Sequence, residues 1–195
     1  MRTFENRAVK KGFARVAGID EAGRGPLAGP VVSAAVVLPD DYTDPLINDS
    51  KRLTPGKRAF LYDRIYNEAV TIGIGIVDAV EIDRINILQA TRLAMAMAVR
   101  NLLPQPDYLL IDGNVGISLP VEQEPVVRGD SLSISIAAAS IIAKVTRDRM
   151  MEQYNLDYPE YGFAGHKGYP TKAHRAAVIK YGPTPIHRTS FTVKA

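Results

Sequence analysis

Residues 16–32 read Val16-Ala-Gly-Ile-Asp-Glu-Ala-Gly-Arg-Gly-Pro-Leu-Ala-Gly-Pro-Val-Val32. Residues 16–20 and 31–38 are short runs rich in β-branched side chains, and Gly23, Gly25, Pro26, Gly29 and Pro30 punctuate the space between them. β-branched residues suit a pleated surface and closely spaced Gly and Pro break regular structure, so the pattern predicts strand, irregular loop, strand. Two acids, Asp20 and Glu21, close the first run. Successive side chains on a strand point to opposite faces, so these two serve one site only if the backbone leaves strand geometry there. Gly23 and Gly25 predict that departure.

Outward from this stretch, Thr54 followed by Pro55 supplies an N-cap and first-turn pair, with Phe60, Leu61, Ile65 and Val70 near helical spacing. A helix over residues 55–69 is expected. Residues 71–77 read as a strand. Asp78 with Glu81 three positions on marks a helix start, and Ile87, Leu88, Leu93, Met95, Met97 and Val99 continue the helix toward Pro104. Residues 108–111 form a buried-type strand ending at Asp112 and Gly113. After a proline-punctuated stretch, residues 135–154 predict a long helix rich in Ala, Ile and Met, and residues 171–181 a short one stopped by Gly182 and Pro183. An early hairpin-like pair followed by helix-separated strands indicates an α/β domain built on a mixed sheet. No internal repeat or low-complexity linker divides the 195 residues, so a single domain is expected.

There are no cysteines, which excludes disulfides, thiolate nucleophiles and cysteine-ligated metals and leaves any metal to oxygen or histidine ligands. The first 16 residues mix Arg2, Glu5, Arg7, Lys10, Lys11 and Arg15 with few apolar side chains, unlike an export signal. The longest apolar runs, residues 30–39 and 134–143, are too short to cross a bilayer, so a soluble cytoplasmic protein without membrane contact is expected. A net charge of +3 favours a polyanionic partner only weakly. Its distribution says more: residues 161–195 hold no Asp or Glu, while Lys167, Lys172, Arg175, Lys180, Arg188 and Lys194 and all three histidines, His166, His174 and His187, fall there. That segment is a candidate phosphate-facing surface; a solvated helix with a terminal tail is the other reading of the same charges.

Four carboxylates stand beside glycine at a strand end or helix start: Asp20 and Glu21, Asp112 before Gly113, and Asp130 after Gly129. Singly, each has a structural reading, as a turn pair, a helix cap or a solvated loop. Together at strand ends, where α/β sites gather, they would repel one another and drive their pKa values upward unless cations were present. Hard oxygen ligands suit Mg²⁺ or Mn²⁺, and two such ions activate a water and stabilise the leaving oxygen in phosphodiester hydrolysis. Without these four acids the chain carries 24 cations against 17 anions, so the protein around the site is basic.

The stretch 16–32 resembles the opening motif of the ribonuclease HII family, the bacterial type 2 ribonucleases H. In the family's order follow Asn48-Asp-Ser-Lys-Arg-Leu53, Leu110-Ile-Asp-Gly113, Arg128-Gly-Asp130, Ala137-Ala-Ala-Ser-Ile-Ile-Ala-Lys-Val-Thr-Arg-Asp148 and His166-Lys-Gly-Tyr-Pro-Thr171. Six ordered motifs span nearly the whole chain. Arg128 replaces the commoner Lys of its motif. Arg24, and a chain that reaches the first motif almost at once, favour HII over the related HIII.

The resemblance implies a ribonuclease H-like fold, with a catalytic core over about residues 14–155 and a C-terminal helical, basic extension over about 156–195. It implies that Asp20, Glu21, Asp112 and Asp130 bind two Mg²⁺ or Mn²⁺ ions and cut the RNA strand of RNA/DNA hybrids, and also 5′ of single ribonucleotides in duplex DNA, leaving 5′-phosphate and 3′-hydroxyl ends. It assigns Gly23, Arg24 and Gly25 to the 2′-hydroxyl at the junction, consistent with glycines letting backbone approach a sugar. Tyr169 would stack on the following deoxyribose; from the residues alone, a packing tyrosine in a Gly-Tyr-Pro turn is the other reading. Lys51, Lys144 and Arg147 would meet backbone phosphates and position the duplex, acting as a monomer. The alternatives are another nuclease of this fold, such as a junction resolvase, or a non-catalytic nucleic-acid-binding protein. A phosphate loop at Gly23–Gly29 is a poorer fit, since no Gly-Lys-Ser/Thr follows.

Overall fold

The computed structural model describes residues 1–47, 50 and 53–191. Its strands are β1 (Val16–Ala22), β2 (Val31–Val37), β3 (Thr71–Val77), β4 (Tyr108–Asp112) and β5 (Glu122–Val126). They form one sheet in the order β3-β2-β1-β4-β5. β1, β2 and β3 run antiparallel in sequence, while β4 lies parallel to β1 and β5 parallel to β4, so the expected mixed sheet is observed.

Around the sheet lie α1 (Thr3–Lys10), α2 (Pro55–Glu68), α3 (Ala79–Arg100), α4 (Ile134–Asp157), the single turn α5 (Phe163–His166) and α6 (Lys172–Tyr181). β2, Val-Val-Ser-Ala-Ala-Val-Val, shows why there are helices on both faces: every residue is buried. Ala34 and Val36 pack with Ile65 of α2 and Ala138 and Ile142 of α4, whereas Ala35 and Val37 pack with Met95, Ala98 and Val99 of α3. Alternate residues thus feed opposite layers, and each fully buried Val or Ile contributes about 1.5–3 kcal/mol.

Two helix starts follow the caps read from sequence, Thr54 accepting from Lys57 N and Asp78 from Glu81 N; Ser133 and Thr171, not read as caps, do the same for α4 and α6, each worth about 1 kcal/mol. Glycine at position 18 brings α4 against β1, since a Cβ there would lie 2.1 Å from the Ser135 carbonyl carbon. The first turns of α4 are thereby pressed against the strand that carries Asp20.

Three features depart from the expected elements. The proline-punctuated stretch contains β5, an edge strand where Pro125 and exposed polar residues are tolerated. Residues 3–10 form α1, whose buried Glu5 accepts from Ser133 Oγ at 2.5 Å and Ser135 N at 3.1 Å and so fastens the N-terminus to the start of α4. The helix toward Pro104 is interrupted at Asn86, which has φ 66°, and whose side chain caps the continuation by accepting from Leu88 N and Gln89 N at 3.0 and 3.1 Å.

Candidate active site

The parallel pairing of β1 and β4 ends at Ile19 opposite Ile111. One residue further on each strand come Asp20 and Asp112, so the register itself sets these two acids side by side at the strand ends. β5 pairs with β4 as far as Val126 opposite Asp112, and the chain then turns through Arg128, in the left-handed region with φ 58°, into a 3-10 turn at Gly129–Ser131. Gly129 N donates to Asp112 Oδ1 at 2.7 Å, which ties Asp130 to the end of β4. Asp20 and Asp130 are 4% and 7% exposed, so both carboxyls sit below the surface.

Strand geometry does not break at Asp20 and Glu21 as the glycines had suggested: β1 continues to Ala22, with Asp20 opposite Ala34 and Glu21 opposite Ser33. Both nonetheless share one electrostatic neighbourhood, because β4 ends its pairing before them and leaves that side of β1 open. Burial raises the Asp20 carboxyl well above its ordinary range, and the charges of Glu21 and Asp112 raise it further, against hydrogen bonds from Glu21 N and Ser140. Burial also raises Glu21; Arg24, 3.2 Å away, opposes the shift, and Asp112 adds to it. Among the described residues no three Asp, Glu or His side chains close on a point where an ion would sit. The donor set still fits a hard divalent cation: it is oxygen only, and a bound cation would offset the cost of burying Asp20 and Glu21 in their charged forms.

Gly23, Arg24 and Gly25 follow directly. A Cβ at Gly25 would lie 3.7 Å from the Tyr169 ring, so the two substrate elements named from sequence, 144 positions apart, meet. Glu21, Gly23, Arg24, Gly25, Lys144 and Tyr169 line a common cleft of about 230 Å³ with Ser50 and Ser140. Tyr169 is 44% exposed, its ring open to a ligand. Lys144 faces the cleft but is held by Asp148 at 2.7 Å. Lys51 lies outside the described residues.

Arg147 is a correction. Expected at a phosphate, it is 1% exposed and donates to the carbonyls of Pro30, Lys167 and Ala28 at 2.9, 2.9 and 3.0 Å. Although three residues from Lys144, it faces the loop rather than the cleft. Arg188, His174 and His187 likewise leave the proposed phosphate-facing surface for the interior. Arg188, missed as a site residue, is 2% exposed and donates to the carbonyls of Gly23, Arg24, Pro26 and Gly29 at 2.6–3.1 Å. Two guanidinium groups thus hold the path of residues 23–30 from beneath, and burial pushes Arg147 down to about 10 and Arg188 to about 9. Ser140 was also missed; its hydroxyl meets Asp20 and lies 2.7 Å from Ser50 Oγ. Its only signal was a polar residue inside an apolar helix.

Comparison with known proteins shows the family to which a chain with this fold belongs. The ribonuclease HII family model covers residues 17–194. The chain belongs to the ribonuclease HII family. It is 58% identical to a ribonuclease HII of Geobacter sulfurreducens over 188 residues, covering 96% of this chain and 87% of that one. With a ribonuclease HII of Syntrophus aciditrophicus it is 53% identical over 195 residues, covering 100% and 92%. The crystal structure of ribonuclease H2 from Pyrococcus horikoshii superposes with a TM-score of 0.77 at 30% identity, over 92% of this chain and 95% of that one. Family membership makes this protein a metal-dependent endoribonuclease acting on RNA in RNA/DNA hybrids, on the α/β ribonuclease H-like fold described above. Among the described residues, no helix is long and apolar enough to cross a membrane.

Proposed function

We propose that the enzyme cuts on the 5′ side of a ribonucleotide at an RNA–DNA junction, including a single ribonucleotide embedded in duplex DNA, and leaves 3′-hydroxyl and 5′-phosphate ends. The observation that carries this reading is the shared cleft in which Glu21 meets Gly23, Arg24, Gly25 and Tyr169. A nuclease indifferent to the sugar has no need of backbone and an exposed ring brought together beside its acids.

In this reading Asp20, Glu21, Asp112 and Asp130 hold two divalent ions, Mg²⁺ or Mn²⁺. When bound, such ions supply the charge that activates a water and stabilises the leaving oxygen in an in-line displacement. The Gly23–Gly25 backbone borders the cleft without a Cβ at either end and reads the 2′-hydroxyl, which distinguishes ribose from deoxyribose. Arg24 neutralises part of the acidic rim through Glu21. Tyr169 stacks on the deoxyribose that follows, and Lys144 turns from Asp148 toward a phosphate. Lys51 is assigned to a phosphate by its motif alone. Arg147 acts on the loop. About residues 14–155 supply the catalytic core; in the extension that follows, the segment around Tyr169 delivers the ring and residues 186–188 seal the loop from behind. The enzyme works as a cytoplasmic monomer on hybrid and ribonucleotide-containing duplexes.

The test is cleavage of a DNA duplex carrying one ribonucleotide, with the cut mapped to the nucleotide. Incision 5′ to that ribonucleotide, absent from the all-DNA duplex and abolished by chelation of divalent ions, is expected. Equal cleavage of the all-DNA duplex would remove the junction reading.

A further inference from the structure

His166, His174 and His187 cluster behind the cleft, and their partners determine where every ring hydrogen lies. Thr184 N–H donates to His187 Nδ1 at 2.9 Å, so that nitrogen carries no hydrogen and the neutral ring is protonated at Nε2. His187 Nε2 is 3.0 Å from His174 Nε2, which must accept. The hydrogen of His174 is therefore on Nδ1, 2.9 Å from the carbonyl oxygen of Tyr169, which accepts it. His166 stacks on His174 at 4.4 Å, takes the Gly168 N–H on Nδ1 at 3.2 Å and donates from Nε2 to the Tyr161 carbonyl at 2.8 Å.

Both ends of this chain of bonds are fastened to substrate-reading elements. His187 forms a bridge to Ala28, flanked by Gly29 N to Ile186 O and Arg188 N to Leu27 O, each 2.8 Å. Leu27 N donates in turn to Gly168 O at 2.8 Å, next to Tyr169. The segment 186–188 is thus zipped onto the loop that continues from Gly23 and Gly25, while the far end of the histidine chain grips the Tyr169 backbone. His174 is fully buried and His187 is 7% exposed.

We propose that the chain from Thr184 through His187 and His174 to the Tyr169 carbonyl sets the separation between the Tyr169 ring and the Gly23–Gly25 loop, making His187 and His174 positioning residues for junction selectivity. The inference rests on the reading of Tyr169 as the ring against the deoxyribose. Each link is directional: reversing one tautomer leaves two hydrogens, or two lone pairs, facing each other. Burial and the neighbouring His174 push His187 down to about 4, which keeps the chain neutral at physiological pH. An apolar residue of the same volume would fill this space among Tyr161 and Phe163 equally well, so packing alone does not call for two histidines.

The test compares His187→Leu, His187→Gln and Tyr169→Ala with the unaltered enzyme. The readout is the ratio of kcat/KM on a duplex with one ribonucleotide to that on a uniform RNA/DNA hybrid. His187→Leu is expected to lower this ratio about tenfold, the effect of losing one buried hydrogen bond, and Tyr169→Ala to lower it at least as far. Gln at position 187 still presents an Nε2–H to His174 and is expected to restore most of the ratio. Two-bond ¹H–¹⁵N spectra of the unaltered enzyme should show His187 protonated at Nε2 and His174 at Nδ1, a readout that survives if the Leu variant does not fold. A ratio unchanged by His187→Leu but collapsed by Tyr169→Ala overturns the positioning role and leaves the Tyr169 reading standing. A ratio indifferent to Tyr169→Ala overturns that reading and this inference with it. The opposite tautomer at His174 overturns the inference directly.

Discussion

Replacing Arg188 by Met keeps the apolar stem and removes the guanidinium that lies under residues 23–29. Four carbonyls, those of Gly23, Pro26 and Gly29, which are buried, and that of Arg24, which is part-buried, lose their donor. An unsatisfied buried carbonyl costs about 1–3 kcal/mol, so four at the middle of that range lose about 8 kcal/mol. Part of this is recovered, because the buried charge is itself costly: the fall of Arg188 from the ordinary arginine value to about 9 corresponds to about 5 kcal/mol of burial cost and repulsion from Arg147 no longer incurred. The balance is a loss of about 3 kcal/mol, or about 6–12 °C in Tm for a chain of this size. The same carbonyls define the path of the loop, so kcat/KM on a duplex with one ribonucleotide should fall by more than about tenfold while hybrid binding persists. Calorimetry and mapped cleavage measure the two effects. Arg188→Lys should fall between, since an ammonium has three donors without the planar fork. A Met variant that melts within about 1 °C of the parent and cuts normally would refute both the energetic balance and the role of Arg188 in shaping the loop.

Asp20→Asn and Asp112→Asn are each expected to abolish turnover with hybrid affinity largely retained, measured by single-turnover cleavage alongside fluorescence anisotropy; full activity in either would remove the metal assignment. Gly23→Ala places a Cβ 2.2 Å from Arg147 Nε at φ 101°, so it should cost about 1–3 kcal/mol and weaken junction cleavage, which urea titration and the cleavage ratio would report. His187 is held below its ordinary value, so the unfolded chain takes up the proton first and stability falls as pH drops below about 6.5, with the loss complete near pH 4. Between pH 7 and pH 5 this group should remove about 2 kcal/mol, and His187→Gln should flatten that slope in urea midpoints; an equal slope in the variant would assign the acid sensitivity elsewhere.

Four of the five strands, the main helices and the caps at Thr54 and Asp78 were legible because periodicity, Gly and Pro punctuation and N-cap residues act over a few positions. Motif order marked the acids, the Gly-Arg-Gly loop and Tyr169 for the same reason: each motif is contiguous. β5 was hidden because an edge strand half open to solvent has no apolar alternation to display. Only the tertiary structure decided how these pieces meet. Parallel register, a property of two strands 92 residues apart, sets Asp20 beside Asp112. Arg147 and Arg188 look in sequence like any basic surface residue, and only chain reversal over 117 to 165 positions turns them inward onto carbonyls. The histidines read as cations of a basic tail, yet burial and fixed partners make them neutral links in a directional chain. Sequence patterns record which face of an element is apolar; what a polar side chain meets once buried depends on contacts that no local pattern encodes.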